Sequence, residues 1–317
     1  MTDWRSFLKG DPVPWLLEES NPYVRYHALT WLEGRAEDDP AVAAASQAIA
    51  ASEPVQKVLR SQRPQGYWGS DPRPHHATQY QLTLLTWLGY RGDGAVKKAL
   101  EYRMQGGLRE DGSYGVQFKE RWIYAPCHGA NLLRMLLRFG MGDDPRAKLL
   151  LDWLLRSQEA DGVVPCISKV KPFPCLWASG DVLRAYDELP PDWVTPRVAE
   201  ARQRAVDLFL DNRLCYYKRI RPDQRWFQFG YPLHWDTDIL EVLELCAPHI
   251  RPDDPRIQEG LSFVLGKQDG SGRWPCEKHP KGGKWVQRYL PLEEIGQPSK
   301  WVTLHAVRML KRFQSNK

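Results

Sequence analysis

The 317-residue sequence lacks any long hydrophobic run, because no stretch of about 20 apolar residues occurs in it. Its start, MTDWRSFLKGDPVPW, has no apolar signal core. Cysteine is sparse, with six residues and no C-x-x-C pair, so we expect reduced, buried thiols and no disulfide scaffold. These absences predict a cytoplasmic protein without a transmembrane helix, although peripheral contact with a membrane stays open.

The sequence also lacks a run of lysine and arginine, although its net charge is +5. We therefore expect no nucleic-acid partner. Hydrophobic residues make up 42% and charged residues 26%, which is ordinary for a globular protein. Tryptophan is the abundant residue type, with 14 copies.

An internal repeat organises most of the chain. Segments such as SQRPQGYWGS and KQDGSGRWPC place a glutamine before a glycine and an aromatic residue. The glutamines are Gln62, Gln105, Gln158 and Gln268, with Asn212 in a degenerate copy. Between them lie two helical patterns: a first-type helix that ends at the glutamine, and a second-type helix after a long loop. We predict second-type helices over 77–90, 127–140, 176–189, 233–246 and 300–313.

The glutamine segment predicts a structural staple between repeats. Glycine supplies the positive φ of a helix C-terminus, the aromatic ring packs back on the helix, and the glutamine amide bonds backbone carbonyls. Asp-Asp-Pro occurs at 38–40, 143–145 and 253–255, each before a first-type helix. An aspartate N-cap followed by proline is a standard helix start, so we interpret these pairs as caps and not as magnesium ligands.

On these residues the chain resembles the terpenoid cyclase and protein prenyltransferase superfamily, whose repeats carry Q-x-x-D-G-x-[WY] between paired helices. The resemblance implies an all-α fold, an (α/α)₆-type toroid of inner and outer helices around a cavity. It implies one domain over 1–317, with 1–40 as an N-terminal helical cap. The segment NPYVRYHALTWL also resembles a HEAT-type repeat, which keeps an open solenoid as the alternative.

In such a toroid the first turns of the second-type helices line the mouth of the cavity. Polar and aromatic residues recur at that position in each repeat, which favours a ligand site, although single residues could merely cap their helices. CHGANLL resembles a His-Gly-Gly segment whose histidine contacts diphosphate in prenyltransferases. The predicted substrate-binding residues are His75, His76, Gln79, Tyr124, Cys127, His128, Asn131, Trp177, Asp181, Arg219, Arg221, Trp226, Trp235, Trp301, Thr303 and His305.

The segment HWDTD supplies the candidate catalytic residues His234, Asp236 and Asp238. Asp236-Thr237 resembles only the end of the acid motif with which related cyclases protonate an alkene. A proton donor needs a carboxyl group kept neutral by burial or by a second carboxylate, whereas an aspartate here could also cap the helix. The zinc ligands of prenyltransferases have no full counterpart, so we expect no required cofactor; magnesium or zinc would lack a complete ligand set.

Three functions remain open from the sequence. The first is a protein that binds or transforms an isoprenoid or similar amphiphilic lipid, as a cyclase-like isomerase or lyase or as a transferase that uses a prenyl diphosphate. Basic residues in the loops before the second-type helices suit an anionic head group. The second is a non-catalytic scaffold that binds a lipid or a protein. The third is a carbohydrate-active enzyme, which would need two opposed carboxylates among Asp181, Asp236 and Asp238.

Overall fold

The computed structural model describes residues 3–70, 77–118, 121–166, 173–218, 221–233, 237–280 and 283–315. Most of these residues are helical, which confirms the predicted all-α class. No helix in the described ranges is both long and apolar enough to cross a membrane.

The described residues form helices joined by loops, and two of the loops contain a short antiparallel hairpin. The helices are α1 (Val13–Leu16), α2 (Pro22–His27), α3 (Pro40–Ala51), α4 (Glu53–Arg60), α5 (Ala77–Trp87), α6 (Gly94–Gly107), α7 (Pro126–Arg138), α8 (Pro145–Ser157), α9 (Leu176–Asp187), α10 (Pro196–Asp211), α11 (Ile239–Cys246), α12 (Gln258–Gly266), α13 (Gly283–Val286) and α14 (Lys300–Arg312). The strands are β1 (Gly115–Phe118) with β2 (Arg121–Tyr124), and β3 (Pro165–Cys166) with β4 (Phe173–Pro174).

The three Asp-Asp-Pro segments begin helices as predicted. The Asp39 side chain accepts a hydrogen bond from the Ala41 backbone N–H at 2.8 Å and caps α3. Asp144 caps α8 in the same way, and Asp254 caps the 3₁₀ turn before α12. These carboxylates satisfy N–H groups that a helix start leaves without partners.

The predicted hydrogen bonds of the glutamine staple are present at Gln62, Gln158 and Gln268. Gln158 Nε2 donates to the backbone oxygen of Gly162 at 3.2 Å and of Ala201, in α10, at 3.0 Å. Gln62 Nε2 likewise reaches the oxygen of Ala95, in α6, at 2.8 Å. The amides of Gln62 and Gln158 therefore join the end of one first-type helix to the next first-type helix along the chain.

The glycine of the staple is required by its close approach to the next helix. Gly162 has a φ of +87°, and a Cβ there would lie 2.2 Å from the backbone oxygen of Arg204. A side chain at this position is excluded on both counts, because only glycine adopts positive φ without a steric cost.

The aromatic members of the staple, Trp68 and Trp274, pack at equivalent places, as predicted. Both are fully buried. Trp68 Nε1 donates to the Val58 oxygen at 2.8 Å, and Trp274 Nε1 donates to the Val264 oxygen at 2.7 Å. Both indole N–H groups therefore bond the first-type helix that the staple ends.

Gln105 is not a staple residue, so that prediction was wrong. Its side chain is exposed and donates to Glu101 Oε1, four residues earlier on α6. Leu108 takes the staple position instead, because it bridges Tyr114 as Gln62 bridges Trp68. The physical reason is that α6 continues to Gly107, which leaves Gln105 on the helix surface.

The chain divides into two compact units. The terminal unit comprises Met1–Gln56, Trp87–Tyr90 and Phe209–Lys317; the central unit comprises Lys57–Thr86 and Arg91–Leu208. In the terminal unit, Gln268 Nε2 donates to the Phe7 oxygen at 3.0 Å, so the last staple binds the N-terminal segment. In the central unit, α7 packs against α8 and α9. Closure of the repeats into one ring-shaped domain stays a prediction.

Candidate functional site

The terminal unit contains a cluster of stacked aromatic side chains. We call Trp31, Trp87, Tyr231, Trp301 and His305 the aromatic cluster. The Tyr231 ring stacks on Trp301 with centroids 4.8 Å apart, and on His305 at 4.5 Å. Trp87 meets Tyr231 edge-on at 4.2 Å, and Trp31 meets His305 edge-on at 5.6 Å.

The helical repeat explains how α14 contributes two members of the cluster. Trp301 and His305 are four residues apart on α14 and therefore share one face of the helix. Tyr231, from the loop before α11, covers that face. Trp31 follows α2 in a π-helical segment, Ala28–Leu32, and Trp87 ends α5. Trp31 and Trp87 are half-buried, whereas the other three members are buried.

His305 also belongs to a buried charged network. Its Nδ1 lies 2.6 Å from Glu244 Oε2, and Arg308 donates to Glu244 Oε1 at 2.5 Å. Burial alone would raise the pKa of Glu244, but His305 and Arg308 outweigh it and lower that pKa to about 2. Glu244 is therefore a buried carboxylate that stays ionised, held between α11 and α14.

The second ring nitrogen of His305 has no hydrogen-bond partner within the described ranges. His305 is 9% exposed, and its Nε2 finds no hydrogen-bond partner among the described residues. Because Nδ1 faces the ionised Glu244 carboxylate, Nδ1 carries a proton and donates a hydrogen bond to that carboxylate. The cluster thus combines apolar faces with one unsatisfied polar atom.

Asp238 is the only predicted catalytic residue within the described ranges; His234 and Asp236 lie outside them, as does Trp235. Asp238 is 2% exposed and caps α11 by accepting from the Glu241 N–H at 3.0 Å. Lys278 Nζ lies 3.4 Å from its carboxylate. Burial raises the pKa of Asp238 to about 6, and Lys278 only partly opposes that rise. The helix begins at Ile239 and not at 233, so the predicted start was wrong.

Two predicted residues meet in the central unit, around an arginine that the sequence did not single out. Gln79 Oε1 accepts from Arg103 Nη2 at 2.9 Å and lies 2.6 Å from His128 Nδ1. Arg103 is fully buried and has no carboxylate partner in the described part of the chain. Its guanidinium lies over the Tyr114 ring, 5.5 Å from the centroid. These contacts tie α5, α6 and α7 together.

Thr303, one of the predicted substrate-binding residues, makes a structural hydrogen bond. It is fully buried, and its Oγ1 accepts from the Trp274 backbone N–H at 2.9 Å. Thr78 makes the same bond to Trp68 at 3.1 Å. Thr303 therefore completes the staple of its repeat.

Further predicted residues make local contacts within the central unit. Asn131 Nδ2 donates to the Cys127 oxygen, one turn earlier on α7, and Asp181 forms an ion pair with Arg184 at 2.6 Å. Burial strongly raises the pKa of the Cys127 thiol, which is therefore protonated. The six cysteines all lie in the described ranges, where none forms a disulfide bond. No group of three or more potential metal ligands occurs in the ranges that the structure describes.

The remaining predicted residues are dispersed. Tyr124 is 43% exposed and lines a cleft of about 480 Å³ in the central unit with Trp153. Trp177 is half-buried, Trp226 is buried and Arg221 is exposed. His75, His76 and Arg219 lie outside the described residues. Of the predicted residues, the structure brings Trp301 and His305 together in the aromatic cluster, where both contact Tyr231.

Comparison with known proteins gives weak likenesses only. No family model matches the chain, and no curated protein matches it. Among solved structures, the chain is similar to a protein from Actinoplanes at 14% identity and a TM-score of 0.48, over 98% of this chain and 100% of that one. It is also similar to the type II terpene cyclase MstE from Scytonema at 14% identity and a TM-score of 0.45, over 91% of this chain and 87% of that one. We infer neither a ring-shaped fold nor a function from likenesses of this strength.

Proposed function

We propose that the protein binds an isoprenoid or a similar amphiphilic lipid at the aromatic cluster. The observation that supports this best is the stacking of Tyr231 on Trp301 and His305, beside the buried Glu244 carboxylate. Sites for small molecules combine apolar and aromatic walls with a few polar groups that fix the orientation of the ligand. The aromatic cluster has both components within one unit.

The exposure of the cluster supports the same proposal. Trp31 and Trp87 are half-buried, so the cluster borders solvent at these two rings. Aromatic faces contribute a large apolar contact area, and the indole and phenol edges remain polar. An apolar chain can lie against the rings while a polar head stays near His305.

Chemical transformation of the lipid is a separate proposal with less support. Asp238 is a helix cap and an ion-pair partner of Lys278, which gives it a structural task. An isomerase, lyase or transferase activity would depend on Asp236 and His234. Because Asp238 caps α11 and pairs with Lys278, we favour the second candidate function, a protein that binds the lipid without converting it. The carbohydrate-active alternative is weakened because Asp181 is paired with Arg184.

A binding titration with farnesol or geranylgeraniol tests the proposed function. A ligand that binds only the folded chain raises stability by RT ln(1 + [L]/Kd), so the melting temperature should rise with ligand concentration. Intrinsic tryptophan fluorescence should change at the same concentrations. Trp31→Ala and Trp301→Ala should weaken both responses.

Trp193→Ala is the matched control, because Trp193 is a half-buried tryptophan of the central unit with Lys148 over its ring. The control should bind like the unsubstituted protein. The proposal is wrong if neither alcohol shifts the melting temperature at concentrations far above micromolar, or if Trp31→Ala and Trp193→Ala bind alike. Trp31→Ala decides the question even if Trp301→Ala does not fold.

A further inference from the structure

We propose that Cys166 and Cys175 form a reversible oxidation site in the central unit, at which a small disulfide such as oxidised glutathione converts their two thiols into one intramolecular disulfide bond. The proposal is independent of lipid binding at the aromatic cluster. It follows from the position of both residues on the β3–β4 hairpin, from the contact between their side chains and from the place of Cys175 at the start of α9.

The register of the hairpin places the two cysteine side chains on one face. Cys166 pairs with Phe173 across the strands. In the same register Val164 pairs with Cys175, whose backbone N–H donates to the Val164 oxygen at 3.3 Å. Side chains two positions apart on a strand point to the same face. Cys166 and Cys175 are therefore diagonal neighbours across the hairpin.

A small movement of the hairpin is enough to join the two sulfur atoms. Diagonal neighbours have Cα atoms about 7–8 Å apart, which is near the upper limit that a disulfide bond spans. The side chains already meet, because the Cys175 thiol forms a hydrogen bond with Cys166. Both residues are half-buried, so a small oxidant can reach them. A disulfide bond formed under such strain is easily reduced, and the oxidation is therefore reversible.

Cys166 is the sulfur that attacks the oxidant. The hydrogen bond with Cys166 raises the pKa of Cys175, and burial raises it further, so Cys175 keeps its proton. A hydrogen bond donated to a sulfur atom favours the thiolate form of that atom, here Cys166. The Cys166 thiolate attacks one sulfur of oxidised glutathione. A new S–S bond forms, the old S–S bond breaks, and the departing glutathione thiolate takes up a proton.

Cys175 completes the reaction from the start of α9. Once Cys166 carries glutathione, its sulfur no longer holds the Cys175 proton. Cys175 Sγ keeps the backbone N–H of Ala178 at 3.4 Å, and the N-terminus of a helix favours a thiolate. The Cys175 thiolate attacks Cys166 Sγ and releases the second glutathione. The net reaction converts two thiols and one oxidised glutathione into one protein disulfide and two molecules of glutathione.

A third thiol, Cys127 in the first turn of α7, lies near the pair but is a poorer reactant. Burial raises the pKa of Cys127 well above its ordinary value, and the negative charges of Asp181 and Cys166 add to that rise. The thiolate is the nucleophile in disulfide exchange, so a thiol that keeps its proton reacts slowly. We therefore expect Cys127 to stay reduced while Cys166 and Cys175 are oxidised.

The terminal unit has the same arrangement with only one thiol. Cys276 follows its staple as Cys166 follows the staple of Gln158. The place of Cys175 is taken by Ser299, which caps α14 by accepting from the Val302 N–H at 2.9 Å. Serine forms no disulfide bond. Cys276 is therefore a matched internal control, and we expect it to stay reduced.

Peptide mapping without reduction tests the inference. The folded, unsubstituted protein is incubated with oxidised glutathione, denatured in the presence of an alkylating agent and digested with trypsin. Cys166 lies in the tryptic peptide 157–169 and Cys175 in 170–184, so their disulfide joins these two peptides and is identified by mass. The number of free thiols should fall from six to four and return to six after treatment with dithiothreitol. Cys276 should be alkylated throughout.

Variants test the order of attack. In Cys175→Ser, glutathione should accumulate on Cys166, whereas in Cys166→Ser, Cys175 should stay free of glutathione. Glutathione on Cys175 in the second variant would overturn the assigned order. Cys276→Ala is the control and should give the same joined peptides as the unsubstituted protein.

The map of the unsubstituted protein decides the proposal even if a variant does not fold. The proposal is wrong if peptides 157–169 and 170–184 remain separate. It is also wrong if either of them is joined to peptide 122–134, which carries Cys127, or if Cys276 is oxidised as fast as Cys166.

Discussion

The two units each place a histidine of a second-type helix against a polar side chain, yet the two sites differ in charge. In the terminal unit, His305 faces the ionised Glu244, and Arg308 balances that charge. In the central unit, His128 faces the neutral amide of Gln79, which also accepts from the buried Arg103. A histidine in a second-type helix therefore does not define one chemistry. The carboxylate in the terminal unit joins α11 to α14, whereas the amide and arginine in the central unit join three helices.

Removal of the Glu244 carboxylate should have the largest effect on stability and tests the difference between the two units most strongly. Glu244→Gln leaves Arg308 in place without its counter-charge, and breaking a buried pair of this kind destabilises by about 3–5 kcal/mol. Glu259→Gln is the matched control, since Glu259 pairs with Arg213 in an exposed position. That substitution should change the free energy of unfolding by less than about 1 kcal/mol. Urea denaturation of both variants measures these changes. Equal losses in the free energy of unfolding would show that the buried Glu244 pair stabilises the protein no more than the exposed Glu259 pair.

The pH dependence of stability separates the two buried carboxyl groups of the terminal unit. The pKa of Glu244 is lowered from 4.5 to about 2, so its stabilising contribution is present above pH 4.5 and is lost as pH falls towards 2. The pKa of Asp238 is raised from 3.8 to about 6, so its contribution has the opposite sign: it is present below pH 3.8 and is lost as pH rises through 6.

In the unsubstituted protein, titration of Asp238 should lower the free energy of unfolding by about 3 kcal/mol between pH 4 and 6, because one pKa unit corresponds to about 1.4 kcal/mol. Asp238→Asn should remove this fall. Asparagine remains a good helix cap, so α11 should persist. Unfolding free energies at several pH values provide the measurement. An unchanged slope relative to the unsubstituted protein would contradict the burial of an ionisable Asp238.

Substitutions of the staple glutamines should have the smallest effects on stability, and each unit contains such a staple. Gln158→Ala in the central unit and Gln268→Ala in the terminal unit each remove hydrogen bonds to backbone carbonyls, and each should cost about 1–2 kcal/mol. Gln105→Ala removes only a surface bond to Glu101 and should cost less than about 0.5 kcal/mol. Thermal unfolding ranks the three variants. A loss at Gln105 as large as that at Gln158 would contradict the staple register.

Local signals in the sequence predicted much of the fold. Asp-Pro caps, positive-φ glycines and buried tryptophans each follow from the chemistry of a few adjacent residues, so Asp39, Gly162 and Trp274 behave as expected. The sequence pattern gave wrong predictions where the exact end or start of a helix decided the role of a residue. α6 runs past Gln105, and α11 begins at Ile239, after the residues from which a start was predicted.

The site was harder to predict than the fold. Polar and aromatic residues in the first turns of second-type helices predict a ligand site, and of these Trp301 and His305 lie in the aromatic cluster. Trp31 and Trp87 lie at the ends of helical segments, where their apolar spacing is also typical of packing. Glu244 and His305 are 61 positions apart in the sequence, so no local pattern predicts the contact by which they join α11 and α14.

A crystal structure of the protein with farnesol bound tests the central claim most directly. We predict that the chain of the alcohol lies against Tyr231 and Trp301 in the aromatic cluster. Trp31 and Trp87 should shift, while the bond between Glu244 and His305 Nδ1 persists. Farnesol in the cleft beside Tyr124 and Trp153, with the aromatic cluster unchanged, would contradict the account.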